Sequence, residues 1–147
     1  MSEHIIIGAD HAGFVLKEGL REFLAEKGLE VLDAGTYGSD AVDYPDFARQ
    51  VAENISLGQF KKGILICGSG IGMSIAANRF PGVRAALCLD EETARLSRMH
   101  NDSNILILAG RKTDLDTAKK IVSVWLETDF EGGRHQVRLE KIGKLEK

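Results

Sequence analysis

Short runs of apolar, largely β-branched residues alternate along the chain with longer stretches whose apolar positions recur at helical spacing. The runs are Ile5-Ile6-Ile7, Val31-Leu32, Ile64-Leu65-Ile66, Val83 to Leu87 and Ile105 to Leu108. Between them, Leu16, Leu20, Phe23 and Leu24 fall at i, i+4, i+7, i+8, and Ala48, Val51, Ala52 and Ile55 at i, i+3, i+4, i+7; each set lines one face of a helix. Leu115, Ala118, Val122, Trp125 and Leu126 form the longest stripe. Pro45 stands where the second helix would begin, a position that needs no N–H donor. Continuous apolar strands, each followed by an amphipathic helix, predict an α/β fold whose parallel sheet is covered on both faces. After Leu126 a Gly132-Gly133 break precedes a last helix carrying Arg134 and Arg138 at i, i+4. In an open parallel sheet, ligands bind beyond the carboxyl ends of the strands. Chemistry is therefore expected just after each apolar run.

Length and composition leave this picture standing. A chain of 147 residues suits a single domain, 1–147, and no repeat, low-complexity tract or linker divides it. No apolar run approaches the roughly 20 residues of a membrane span, and Met1-Ser2-Glu3-His4 lacks the basic and apolar parts of a signal peptide. Cys67 and Cys88 are the only cysteines, so no disulfide framework is implied and a reducing cytoplasm is expected. The net charge of −3 disfavours a sequence-independent grip on nucleic acid. The charge is uneven, however. Residues 131–147 hold Arg134, Arg138, Lys141, Lys144 and Lys147 against Glu131, Glu140 and Glu146, a basic helical tail of +2 on a body of −5. A small anionic ligand is compatible with that distribution.

The third run ends in Cys67-Gly68-Ser69-Gly70-Ile71-Gly72, followed by the small residues of a short helix. Its three glycines allow a sharp turn and present bare N–H groups at a helix start, which makes an anion cradle. The same geometry would favour a thiolate at Cys67. The plain alternative is a tight strand-to-helix turn with a buried cysteine. A dinucleotide-binding fingerprint fails because the third glycine comes one residue early. A phosphate-binding P-loop fails for want of Gly-Lys-Ser/Thr. A cysteine phosphatase would want arginine six places after its cysteine, where Met73 stands. What remains is a thiol beside backbone donors, suited to proton transfer next to a developing oxyanion. The first run ends in Gly8-Ala9-Asp10-His11-Ala12-Gly13, which sets a carboxylate and an imidazole at another strand end, unless Asp10 merely caps the helix. His100-Asn101 reads, taken alone, as a helix terminator, Arg134 and Arg138 as a solvated face, and Arg111 is equally ambiguous. Four histidines without a His-Glu-x-x-His or comparable spacing predict no metal site, and no cofactor is expected.

Together, Gly8 to Gly13, Asp43-Tyr44-Pro45, Ile66 to Gly72, Ser97-Arg98-Met99-His100-Asn101-Asp102 and Glu131-Gly132-Gly133-Arg134-His135 resemble the type B ribose-5-phosphate isomerases, whose wider family includes galactose-6-phosphate isomerase subunits. The likeness runs in register from about residue 4 to residue 140. It implies a Rossmann-like, doubly wound sheet of five parallel strands with a C-terminal helix, in a homodimer or a dimer of dimers. It also implies roles: Cys67 as base, His100 as the acid that opens the sugar ring, and Gly68, Ser69, Gly70, Ile71 and Gly72 as cradle for an enediolate. Asp10 and Asn101 would contact sugar hydroxyls, and His11, Arg111, Arg134 and Arg138 the phosphate. One branch of the family uses a glutamate where Met73 stands; methionine cannot take a proton, so the cysteine branch fits.

The expected activity is the interconversion of ribose 5-phosphate and ribulose 5-phosphate. The nearest rival is a six-carbon phosphate such as galactose 6-phosphate or allose 6-phosphate. A non-catalytic sugar-phosphate sensor on the same fold is the rival from another class. One expectation is directional. Cys67 ends a strand, whereas His100 ends a helix that returns to the opposite edge of the sheet. A site using both would then be shared between two chains.

Overall fold

The computed structural model describes residues 4–146. Strands β1 (His4–Ala9), β2 (Glu30–Asp33), β3 (Lys62–Cys67), β4 (Ala85–Leu87) and β5 (Ile105–Ala109) form one sheet in the order β2-β1-β3-β5-β4, every pairing parallel. Helices α1 (Phe14–Glu26), α2 (Tyr44–Ser56), α3 (Ile71–Ala77), α4 (Glu91–Asn101) and α5 (Leu115–Glu127) connect or follow them, and α6 (Arg134–Gly143) closes the chain. The expected five parallel strands are all present.

Side-chain alternation along the strands builds two cores. Ile5, Ile7, Ile64, Ile66, Leu106 and Leu108 face α1, α4 and α5, with Leu20, Leu24, Ala94, Val122 and Trp125 packed against them. Ile6, Leu65, Ile105 and Ile107 face α2 and α3, meeting Val51, Ala52, Met73 and Ala77. Both faces are covered by helices, which is why the strands read as unbroken apolar runs. The expected strand from Val83 begins only at Ala85. Val83 instead closes a turn onto the Phe80 carbonyl, and the Arg84 N–H is taken by the Asn104 side chain, so Arg84 meets β5 only through its carbonyl, which accepts from Asn104 and Ile105 N–H.

The topology reverses between β1 and β3: β1 leads outward to β2 through α1, and β3 leads the other way to β4 through α3. The crevice of an open sheet lies at such a switch point, beyond the carboxyl ends. Asp10 follows β1 there, Cys67 ends β3 in register with Ala109 of β5, and Gly110-Arg111 follow.

Helix α4 carries His100 to the other edge. Asp90 caps it by accepting from the Thr93 N–H (2.7 Å), and Glu91 and Glu92 in its first turn oppose Arg98 and His100 in its last. The residue that takes the left-handed conformation at its end is Asp102 (φ 45°), not an asparagine. The strain, about 1–2 kcal/mol, is offset by a dense set of bonds. Arg98 Nη1 donates to Asp102 Oδ1 (2.9 Å) and to the Ser103 carbonyl (2.6 Å), and Arg84 reaches the other carboxylate oxygen at 3.3 Å. Ser103 Oγ lies 2.8 Å from both Ser97 Oγ and Trp125 Nε1. The turn behind His100 is thus pinned to two helices.

Candidate active site

At the carboxyl edge a concavity of about 640 Å³ is lined by Asp10, Tyr44, Cys67, Gly68, Ser69, Ile71, Gly72, Ile75, Arg111 and Lys112. Its floor follows from the glycines. Gly70 sits at φ 79°, and a Cβ there would come within 2.4 Å of Leu87, so only glycine makes this turn into α3. A Cβ on Gly72 would lie 2.5 Å from the Tyr44 ring, which packs close against the loop. The first N–H groups of α3 have no carbonyl partner within the helix. Ser69 Oγ accepts from Ile71 N–H (3.2 Å), so that hydroxyl is used in part to tie the loop. Arg111 N–H bonds the Gly68 carbonyl (3.0 Å), and its side chain crosses close over Gly68.

Cys67 is 5% exposed and lines this concavity. Cys88 differs: it is fully buried, and burial pushes its thiol up to about 11. Asp10 is also buried, and its Oδ1 accepts from the N–H groups of Ala12 (2.9 Å) and Gly13 (3.1 Å). The carboxylate therefore ties the turn ahead of α1 rather than capping the helix, whose N-cap is Gly13 and carries no side-chain cap, and it also lines the concavity. His11 Nδ1 accepts from Val42 N–H (3.2 Å). With Nδ1 engaged as an acceptor, the proton of the neutral ring sits on Nε2, which is then a donor.

His100, Asn101, Arg134 and Arg138 are not in this concavity. Gly63, at the start of β3, donates to the Asn104 carbonyl, which fixes the end of the α4–β5 turn at the amino edge. From Gly63 to Cys67 the strand rises by about 13 Å at ~3.3 Å per residue. His100 lies beyond the amino end of that span, so one chain cannot bring it to Cys67. Arg134 and Arg138, exposed on α6, accompany His100 there, whereas His11 and Arg111 stay at the carboxyl edge. Within one chain the four expected phosphate contacts therefore fall into two separate pairs.

The amino-edge group contains residues whose roles the sequence did not assign. The His100 and His135 rings stack with centroids 4.3 Å apart and planes at 16°. Glu131 Oε1 lies 3.8 Å from His100 Nε2 and 3.5 Å from His135 Nε2. Spacing along the chain hid this cluster, because it joins the end of α4 to the segment before α6. Its donor set is that of a metal site, but its geometry is not. In stacked rings the nitrogen lone pairs run side by side, whereas zinc needs each nitrogen aimed at it from about 2.0–2.1 Å.

Residues 5–142 match the family described as Ribose/Galactose Isomerase. The chain is 49% identical over 142 residues to ribose-5-phosphate isomerase B of Escherichia coli, covering 97% of this chain and 95% of that one. It superposes on ribose-5-phosphate isomerase B of Clostridium thermocellum with a TM-score of 0.95 at 51% identity, covering 97% and 96% of the two chains. The Mycoplasma genitalium isomerase, solved with bound ribulose-5-phosphate, gives 0.94 at 44% identity, covering 99% of this chain and 97% of that one.

Proposed function

The chain belongs to the ribose/galactose isomerase family, and on that premise we propose that it interconverts ribose 5-phosphate and ribulose 5-phosphate with Cys67 as base and His100 as ring-opening acid. The observation that carries the reading is a lone cysteine thiol lining a concavity, beside a glycine turn rich in N–H donors. The likeness to ribose-5-phosphate isomerases over nearly the whole chain supports the five-carbon substrate over a six-carbon one, and catalysis over sensing. Turnover of a panel of five- and six-carbon sugar phosphates tests it. The pentose phosphate is expected to be the best substrate, and a clear preference for a hexose phosphate would overturn the choice.

His100 protonates the furanose oxygen as the ring opens and the anomeric hydroxyl releases its proton to solvent, leaving the C1 aldehyde, while Asp10 and Asn101 hold hydroxyls. The Cys67 thiolate takes the C2 proton, leaving a cis-enediolate. N–H groups of the Gly68–Gly72 turn face the growing oxygen charge, each worth roughly 2.7–4 kcal/mol in comparable oxyanion holes. The hydroxyl proton shifts from O2 to O1, the thiol returns its proton to C1, and the ketose results. Met73 is fully buried and has no part in proton transfer.

Acid and base must each stand within about 2.6–3.2 Å of the atoms they serve, and those atoms are neighbours in one sugar. The separation of Cys67 from His100 within a chain therefore supports an isologous homodimer, alone or as half of a dimer of dimers, with each site built from both chains. Exposed Ile71, Ile75 and Tyr44 around the concavity give such a partner an apolar rim to cover. Phosphate would then meet His11 and Arg111 of one chain and Arg134 and Arg138 of the other. No helix among the described residues is long and apolar enough to cross a membrane, and the two free cysteines suit a cytoplasmic enzyme.

Charge-assisted hydrogen bonds contribute about 1.5–3 kcal/mol each, so Arg134→Ala or Arg138→Ala should weaken substrate binding roughly 10–150-fold. Free ribose should bind poorly to the unaltered protein and be nearly indifferent to both changes. Equal losses for ribose and its phosphate would mark the arginines as structural. The side-by-side imidazoles and the loop's own electrostatics also predict metal-independent turnover. Activity should survive exhaustive chelation, and rescue of a chelated, dead enzyme by one divalent ion would contradict this.

A further inference from the structure

We infer that His135 is a positioning residue for ring opening: its buried imidazole is the flat wall that holds the His100 ring in its working orientation, with Glu131 beside the ring nitrogen. The inference rests on the reading of His100 as the ring-opening acid. His100 is half-exposed at the last turn of a helix, where an imidazole free to rotate about two bonds would spread over several orientations. Two contacts restrict it: the stacking face of His135, at 4.3 Å and 16°, and the Glu131 carboxylate, at 3.8 Å.

The wall is itself well held. His135 is 6% exposed, and its backbone N–H bonds the Gly132 carbonyl (3.1 Å). Glu131 N–H bonds the Met99 carbonyl (3.0 Å), one residue before His100. Between them, Gly132 (φ 71°) and Gly133 (φ 57°) take backbone angles that side chains resist, folding the chain so that Glu131 and His135 reach the same place.

The two rings are not equivalent. Burial lowers the His135 pKa, the charges of Arg134 and His100 lower it further, and Glu131 opposes them; Arg138 adds a smaller lowering. Its Nε2 is buried without a hydrogen-bond partner. A second cation stacked on the first would be repelled, so His135 stays neutral and serves as a surface. The Glu131 carboxylate lies beside both rings, 3.8 Å from His100 Nε2 and 3.5 Å from His135 Nε2. On α4 itself, Arg98 is occupied by the Asp102 carboxylate and by backbone carbonyls, and so does not compete for Glu131.

Comparing kcat from the two directions separates positioning from general damage. Ribose 5-phosphate is a furanose and must be opened. Ribulose 5-phosphate is acyclic, because its C5 hydroxyl is esterified, and enters the enediolate step directly. A misplacement of about 1 Å can cost 10²-fold. His135→Ala should therefore lower kcat from the aldose roughly 10–100-fold, lower KM for the aldose as unopened furanose binds unproductively, and change kcat from the ketose less than about threefold. His135→Phe keeps the flat wall and should restore the aldose kcat to within about threefold of the unaltered protein. Should His135→Ala fail to fold, His135→Leu, apolar but not flat, carries the same expectation. His100→Asn is the reference and must show the same one-sided loss; if it lowers both directions equally, the reading of His100 fails, whatever His135 does. With His100→Asn one-sided, equal loss in both directions for His135→Ala, no loss in either, or a His135→Phe as impaired as His135→Ala would overturn the inference.

Discussion

Replacing Cys67 by serine should cost at least a hundredfold in turnover while leaving the fold in place. General acid–base groups contribute about 10²–10⁴-fold, or ~3–5.5 kcal/mol. A serine hydroxyl is too weak an acid to supply a base at neutral pH, whereas a cysteine thiol, at about 8.5 when unperturbed, is near enough. Alanine should lose as much. Folding should survive either change: Cys67 is the last residue of β3, its carbonyl is bonded to Gly110 N–H (2.8 Å), and its side chain opens onto the concavity. A serine variant with near-normal turnover would sink the assignment of the base.

Alkylation at neutral pH gives the same answer by another route. Thiolates react and thiols do not. Cys88 has its thiol pushed up to about 11 by burial, and its Sγ–H donates to the Ala86 carbonyl at 3.6 Å. One label per chain, on Cys67, should remove activity, and bound ribose 5-phosphate should slow the labelling. A sensor with the same fold would have no use for that reactivity.

The expectations that came through best concern residues whose environment is local. Ile5 to Ile7 and Ile64 to Ile66 read as strands because every side chain in them is buried, on one face or the other. The Cys67 turn was legible because glycine at Gly70 and Gly72 answers to backbone angle and to close packing. What sequence could not give was proximity created by loops. The Val42 N–H that fixes the His11 tautomer lies 31 residues away in a segment without regular structure. The stacking of His135 on His100 depends on two left-handed glycines and on burial at a single helix position. Within the motif Glu131 to His135, the arginine drew attention through its charge. His135, one residue on, points into the opposite environment, and no periodicity marks it out.

On the roles proposed for Cys67 and His100, mixing two dead enzymes should restore activity, because the two residues stand at opposite edges of the sheet. Cys67 stands at the carboxyl edge and His100 beyond the amino edge, separated by more than the roughly 13 Å rise from Gly63 to Cys67. A pentose phosphate cannot touch both within one chain, so each chain would supply one half of two sites. Cys67→Ala and His100→Ala homodimers then carry one lesion in every site. Unfolded together and refolded, they pair at random, and about half the dimers are mixed. In a mixed dimer one site takes Cys67 and His100 from the two intact contributions, and the other collects both lesions. Activity should therefore rise from near zero toward about one quarter of that of the unaltered protein. A dimer of dimers gives the same fraction, because only the pair that shares sites counts. If both residues served a site within their own chain, every site would keep one lesion in every pairing. The mixture would then stay as inactive as its parents, and the shared site would be disproved.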